Sequence, residues 1–288
     1  MSQSRRLNLR RVELSVLIDD EALEGLRAAH GLSILLSCIY EEERVSVLFD
    51  TGPSDATLLN ADAIKARLSE VDVVALSHGH YDHTGGLLAS LKRIGKSVPV
   101  VADPEAFEVK LAYKPALTYI GSPFKPSHIE EAGGRLILTV KPLNLADHLI
   151  LTGRIPRGVD EPSVQGLFKI KDGELVNDEV VDDRAVVVDL GGKALVVAGC
   201  AHAGVLNVVD EALRLTKASS VALLAGGFHL FNAPKKRVER VARELRRMNV
   251  EKVAPCHCTG SRGIEELVKV YGERCTPLKA GSNLTVEA

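Results

Sequence analysis

The 288-residue sequence predicts an α/β protein, a single domain over 1–288 with two mixed β-sheets sandwiched between helices. Three observations predict it. Short runs rich in Val, Leu and Ile alternate with segments of helical periodicity in both halves of the chain. The length is enough to bury a large core. No internal repeat of about 20–50 residues divides the chain.

The elements follow in order. Residues 12–18 alternate and then run apolar, as a strand does. Residues 32–39 and 45–49 are two more, joined by the charged turn Glu41-Glu42-Glu43-Arg44. Asp50-Thr51-Gly52-Pro53 ends the third strand, and a helix is expected over about 55–68. A short buried strand over 71–76 feeds a histidine-rich loop. A helix over 86–94 and a strand over 98–102 come next. The stretch of about 103–165 reads as an irregular, loop-rich insertion, because Pro104, Pro115, Pro123, Pro126, Pro142, Pro156 and Pro162 interrupt regular structure. Strands are then expected over 167–170, 185–190, 195–198, 221–225 and 250–255, and helices over 205–217, 234–248 and 262–271.

Composition narrows the function. The formal net charge is −2, so the basic excess that marks nucleic-acid binding is absent. No apolar stretch approaches the roughly 18 residues that cross a bilayer, and no membrane partner is expected. Met1 to Arg6 lead into no secretion-type apolar run. Together with five cysteines, an odd number, this suggests a cytoplasmic protein with reduced thiols. Gln3 and Gln165 are the only glutamines, and charged residues are 26%, a composition that suggests a thermophilic source.

The chemistry concentrates in Ser77-His78-Gly79-His80-Tyr81-Asp82-His83-Thr84-Gly85-Gly86. Three imidazoles and a carboxylate on one tight loop suit zinc or a related divalent ion. Four donors this close do not close one tetrahedron easily. Two adjacent positions fit better, with His78 and His80 serving one ion and Asp82 and His83 the other. Gly199-Cys200-Ala201-His202-Ala203-Gly204 and Pro255-Cys256-His257-Cys258-Thr259-Gly260 each place a further histidine at a strand's carboxyl end.

At these residues the chain resembles the metallo-β-lactamase superfamily. His78, His80, Asp82 and His83 match its His-x-His-x-Asp-His motif, Phe49-Asp50-Thr51-Gly52 its strand-ending aspartate turn, and His202 and His257 its later histidines. The resemblance implies an αβ/βα four-layer sandwich with a metal site at one edge. It places His78, His80 and His202 on a first ion and Asp82, His83 and His257 on a second, with Asp50 orienting a ligand histidine. Most binuclear members carry a bridging aspartate between the last two histidines. This chain instead reads Leu224-Ala225-Gly226-Gly227-Phe228-His229-Leu230. His229 would substitute as a ligand or contact substrate, and loss of the anionic bridge predicts a weaker second ion. One or two divalent ions are expected, zinc first, with manganese or iron accepting the same donors.

These loops, with His30-Gly31-Leu32-Ser33, resemble a prokaryotic branch described as 7,8-dihydropterin-6-methyl-4-(β-D-ribofuranosyl)aminobenzene-5′-phosphate synthases. That branch is assigned to pterin biosynthesis. The reaction joins a dihydropterin-methyl diphosphate to an aminobenzene acceptor and releases diphosphate, so the substrate would be a phosphorylated small molecule. The alternative is hydrolysis of a phosphoester, thioester or lactone by a metal-activated water, with Asp82 or His229 handling the proton. A non-catalytic metal-binding sensor or scaffold is a third reading. His30, Lys235 and Arg262 are candidate substrate contacts, the two cations because they open helices near the histidine loops. The cysteines Cys200, Cys256, Cys258 and Cys275 read better as buried thiols than as a separate zinc knuckle.

Overall fold

Runs that read as continuously apolar become strands buried on both faces, each sending alternate residues to opposite layers. In the computed structural model, which describes residues 7–113, 115–160, 164 and 166–288, the first half contains β1 (Leu9–Ile18), β2 (Ser33–Tyr40), β3 (Arg44–Phe49), α1 (Ala56–Ala63), β4 (Val73–Ala75), α2 (Tyr81–Thr84), α3 (Leu87–Ile94), β5 (Val98–Ala102), β6 (Lys110–Tyr113), β7 (Leu117–Tyr119), α4 (Pro126–Glu131), β8 (Gly134–Leu138) and β9 (Leu143–Ala146). Then come β10 (Leu149–Leu151), β11 (Leu167–Lys171), β12 (Glu174–Asn177), β13 (Ala185–Asp189), β14 (Lys193–Ala198), α5 (Val205–Thr216), β15 (Ser220–Gly227), α6 (Lys235–Arg247), β16 (Val253–Cys256), α7 (Gly260–Tyr271) and β17 (Asn283–Glu287).

One mixed sheet of seven strands has the order β17-β1-β2-β3-β4-β5-β8, and a second of six has the order β16-β15-β14-β13-β10-β9. They face each other. Leu36 and Cys38 on β2, Val47 and Phe49 on β3, Leu195 and Val197 on β14 and Ala254 on β16 share the core between them. The intervening residues point outward. Leu35, Leu48 and Val74 meet α1 and α3 in one outer core. Ala194, Val196 and Leu224 meet α5, α6 and α7 in the other. The result is the four-layer α/β sandwich expected.

Three differences from the sequence reading have physical causes. The helix expected to reach residue 68 stops at Ala63, because Lys65 takes φ 58° and a 3-10 turn over Leu68–Glu70 follows. The stretch after residue 103 carries five short strands and a helix, and β8, β9 and β10 extend both large sheets. Several of its prolines sit where they cost nothing, Pro126 in the first turn of α4 and Pro142 just ahead of β9. Pro162, Gln165 and Met1–Arg6 lie outside the described residues. A third, antiparallel sheet of order β12-β11-β6-β7 adds to the two expected. No helix among the described residues is long and apolar enough to cross a membrane.

Candidate metal centre

Strands β1, β3 and β4 of one sheet, and β14, β15 and β16 of the other, turn their carboxyl ends to one edge, where each hands over to a short loop. Four residues of these loops hold left-handed backbone without being glycine: Asp50 at φ 58°, Ala201 at 55°, His229 at 48° and His257 at 50°. Such strain persists where the surroundings over-determine it, and it gathers at functional sites.

Asp50, fully buried, anchors the histidine loop. Its Oδ1 accepts the Ser77 amide at 2.7 Å and its Oδ2 accepts Ser77 Oγ at 2.6 Å. Since Ser77 has spent its proton, His78 Nδ1 donates to Ser77 Oγ at 2.9 Å. That leaves the His78 Nε2 lone pair facing inward, 2.9 Å from His80 Nδ1. The His202 ring closes the third side, with centroids 4.8 Å from His78 and 5.0 Å from His80. Both His202 ring nitrogens and His80 Nε2 are buried without a hydrogen-bond partner. Leaving a buried polar atom unpaired costs about 1–3 kcal/mol, so these atoms are suited to a ligand that accepts their lone pairs.

A second group adjoins. Asp50 Oδ2 also meets His83 Nδ1 at 2.7 Å, which turns His83 Nε2 toward His257 Nε2 at 3.2 Å and Asp82 Oδ2 at 3.6 Å. His257 Nε2 lies 3.7 Å from the same Asp82 oxygen. Three donors at these separations suit one ion, since two nitrogens each about 2.0–2.1 Å from zinc stand roughly 3.3 Å apart at the tetrahedral angle. Cys200 Sγ approaches His83 Nε2 to 3.1 Å. It belongs to three sets of mutually close donors, with His78 and His202, with His83 and His257, and with His229 and Cys258. Among the described residues no such set includes Cys256 or Cys275, so a cysteine knuckle does not form.

Charge follows burial. Burial, and after it the neighbouring rings, hold His78 and His202 well below the ordinary imidazole range, and burial takes His80 down to about 3. These rings are neutral donors, as metal binding requires. For His257 burial works against the charged form, but Cys258 and the carboxylates of Asp20 and Asp82 outweigh it and raise the ring to about 10. Burial pushes the Cys200 thiol well up.

Several supports were not legible as site residues in the sequence. Asp20 Oδ1 meets His257 Nδ1 at 2.7 Å, and Asp19 Oδ1 accepts the His257 amide at 2.8 Å. Asp182 Oδ2 accepts the Gly79 amide between the first two histidines, and Asp183 Oδ2 accepts the Ala203 amide beside His202. Adjacent carboxylates thus hold both histidine loops, and buried Lys110 neutralises Asp182 and Asp178 at 2.9 Å each. The signal available for Asp19-Asp20 was its position ending a strand, as Asp50 does.

The remaining candidates separate. His30 is brought in, with Nδ1 3.2 Å from Asp20 and Nε2 3.5 Å from Asp82. His229 packs its ring 4.3 Å from that of His202, with Nδ1 buried and unpartnered. Arg262 is exposed in the first turn of α7. Lys235 is 78% exposed and pairs with Glu239 at 3.8 Å, so the structure does not bring it to the cluster. His148 binds the carbonyls of Asp189 and Leu7, and His128 caps α4; neither joins the cluster.

With this geometry in place, similarity to known proteins acquires meaning. The sequence profile of the metallo-beta-lactamase superfamily matches residues 34–257. The chain is 30% identical over 262 residues to the 7,8-dihydropterin-6-methyl-4-(beta-D-ribofuranosyl)-aminobenzene-5′-phosphate synthase of Methanocaldococcus jannaschii, covering 88% of each chain. An uncharacterized protein of the same organism is 29% identical over 263 residues, covering 90% of this chain and 96% of its own. Among solved structures, Tm1679, described as a metal-dependent hydrolase of the beta-lactamase superfamily, superposes with a TM-score of 0.79 at 26% identity, over 96% of this chain and 100% of its own.

Proposed function

The chain belongs to the metallo-β-lactamase superfamily, and on that premise we propose that it is a metal-dependent enzyme of phosphorylated small molecules, with a group transfer that releases diphosphate as its reaction. The observation that carries the metal reading is the convergence of His78, His80 and His202 beside Asp82, His83 and His257, with three of the buried nitrogens unpartnered. The substrate class rests on the similarity to the archaeal synthase.

Each residue has a task under this reading. His78, His80 and His202 hold the first ion, and Asp82, His83 and His257 the second. When bound, the ions supply Lewis acidity toward phosphate oxygens. Asp50 and Asp20 fix which ring nitrogens of His83 and His257 face inward. Asp82 lies within 3.7 Å of three imidazoles, which favours it as a ligand over a proton carrier. The proton passes to His229, whose Nδ1 has no competing partner. His30 is half-exposed at the mouth, and its hydrogen bond to Asp20 raises its pKa and favours the cation, a charge suited to a phosphate. Arg262 serves the same end from the start of α7. In the transfer, a carbon–nitrogen bond forms at the pterin methyl carbon, its bond to the diphosphate oxygen breaks, and the acceptor amine loses a proton.

Hydrolysis is the second reading, favoured by the likeness to Tm1679. Incubation of the metal-loaded protein with a dihydropterin-methyl diphosphate, with and without the aminobenzene acceptor, separates the two. Diphosphate release that requires the acceptor is expected. Release at the same rate without it would replace the transfer with hydrolysis, and full activity of His80→Ala would remove the metal reading.

A further inference from the structure

The two donor groups share one residue that neither the histidine motif nor the later histidines include. Cys200 is 3% exposed and lies within 4.8 Å of donors in both groups, with its Sγ 3.1 Å from His83 Nε2. We propose that Cys200 is a thiolate ligand bridging the two ions, in place of the carboxylate that the stretch 224–230 lacks. This rests on the metal reading above.

The backbone explains why no side chain can come from Gly226 or Gly227 of that stretch. A Cβ on Gly226 would stand 2.0 Å from the Ala198 carbonyl oxygen. One on Gly227 would stand 2.4 Å from the Gly199 carbonyl oxygen and 2.7 Å from Cys258 Sγ. Strand β15 therefore lies directly against the Cys200 loop, a contact that the Gly227 amide seals by donating to the Gly199 carbonyl at 3.2 Å. The space a carboxylate side chain would need belongs to that loop, and its own anionic candidate is Cys200. The next residue, Ala201, takes left-handed backbone, which carries the chain on to His202.

The other nearby sulfur is the control. Cys258 donates to the Cys200 carbonyl at 3.5 Å and accepts the His229 amide at 3.3 Å. It belongs to neither ion's donor group. A divalent ion deprotonates a coordinating thiol outright, and one thiolate shared by two ions supplies the same single negative charge that a bridging aspartate would.

Cobalt(II) reports thiolate ligation directly. Full-length protein loaded with cobalt should take up two equivalents and show a near-ultraviolet sulfur-to-cobalt charge-transfer band. Cys200→Ser should lose the band and weaken the second equivalent by at least 10-fold, the scale of lost metal-site support. Cys258→Ser should keep the band. Cys200→Asp should regain the second equivalent without it. Circular dichroism of each variant confirms folding. A band that survives in Cys200→Ser, or a wild-type cobalt protein without one, would overturn the bridge and leave the metal reading standing. Failure to take up cobalt at all would overturn both.

Discussion

Asp20 Oδ1 stands 2.7 Å from His257 Nδ1, and the same distance separates Asp50 Oδ2 from His83 Nδ1. Two histidines of the proposed centre, from opposite sheets, are therefore each backed by a carboxylate that ends a strand of the first sheet. A carboxylate at Nδ1 sets the tautomer, aims Nε2 inward and raises its basicity. Asp20→Ala should cost about 10–100-fold in affinity for the second ion, with the first ion retained. Titration of metal-free protein with zinc, followed by calorimetry, measures it. Equal loss of both ions would show that Asp20 supports the loop rather than the ring.

Gly31 packs the His30 loop against the Asp82 backbone. Its φ is 146°, and a Cβ there would lie 2.2 Å from the Asp82 carbonyl oxygen and 2.9 Å from Pro53 Cδ. Gly31→Ala should lower stability by about 1–3 kcal/mol, the range for overpacking, and displace Asp82. Gly158→Ala, whose Cβ meets nothing within 4 Å, should leave the melting temperature unchanged. Thermal denaturation of both variants decides, and equal stability of the two would contradict the close packing.

Lys110 is fully buried and placed 2.9 Å from both Asp178 and Asp182. Lys110→Met leaves two carboxylates buried without their cation, which should cost about 3–5 kcal/mol. Because Asp182 also holds the Gly79 amide, metal affinity should fall with stability. Urea denaturation and metal titration of the same variant test the coupling. A stable variant with weakened metal binding would place Lys110 in the site alone.

Asp103 ties the sheets together at the end of β5, accepting both arms of Arg154 at 2.9 Å. Burial alone would raise its carboxyl, yet hydrogen bonds and charge from Arg154 hold it below the ordinary value of 3.8. The unfolded chain therefore binds a proton that the folded chain does not. This stabilisation is complete above the unfolded pKa of about 4 and is lost as pH falls through the lower folded value. Asp103→Asn should lower stability at pH 7 by about 3 kcal/mol and narrow its gap from wild type on acidification from about pH 4. Denaturation across that range measures it. A gap that stays constant with pH would mean packing, rather than charge, carries the effect.

Much of the fold was legible because its signals are local. Strands such as β2 and β14 are mostly apolar, and α5 and α7 show helical spacing that needs no tertiary context. The short strands β8, β9 and β10 were not legible, since three to five residues carry almost no pattern. Only pairing with long neighbours makes them strands. Among site residues, those crowded into 78–83 declare themselves, because four metal-competent side chains in six positions have few other uses. Cys200, Asp20 and Asp182 each look like ordinary buried or turn residues when read alone.

The sequence by itself determined the kind of chemistry: imidazoles and carboxylates on loops after strands, in an α/β chain of the metallo-β-lactamase superfamily. What the tertiary structure decided is which further groups stand around those donors. His78 and His80 face His202, while Asp82 and His83 face His257, with Asp20 behind one ring and Cys200 between the groups. The reason is geometric. A ligand set is defined by distances of a few ångströms among atoms, and residues 20, 83, 200 and 257 come within that range only when two sheets pack with their strand ends on one edge.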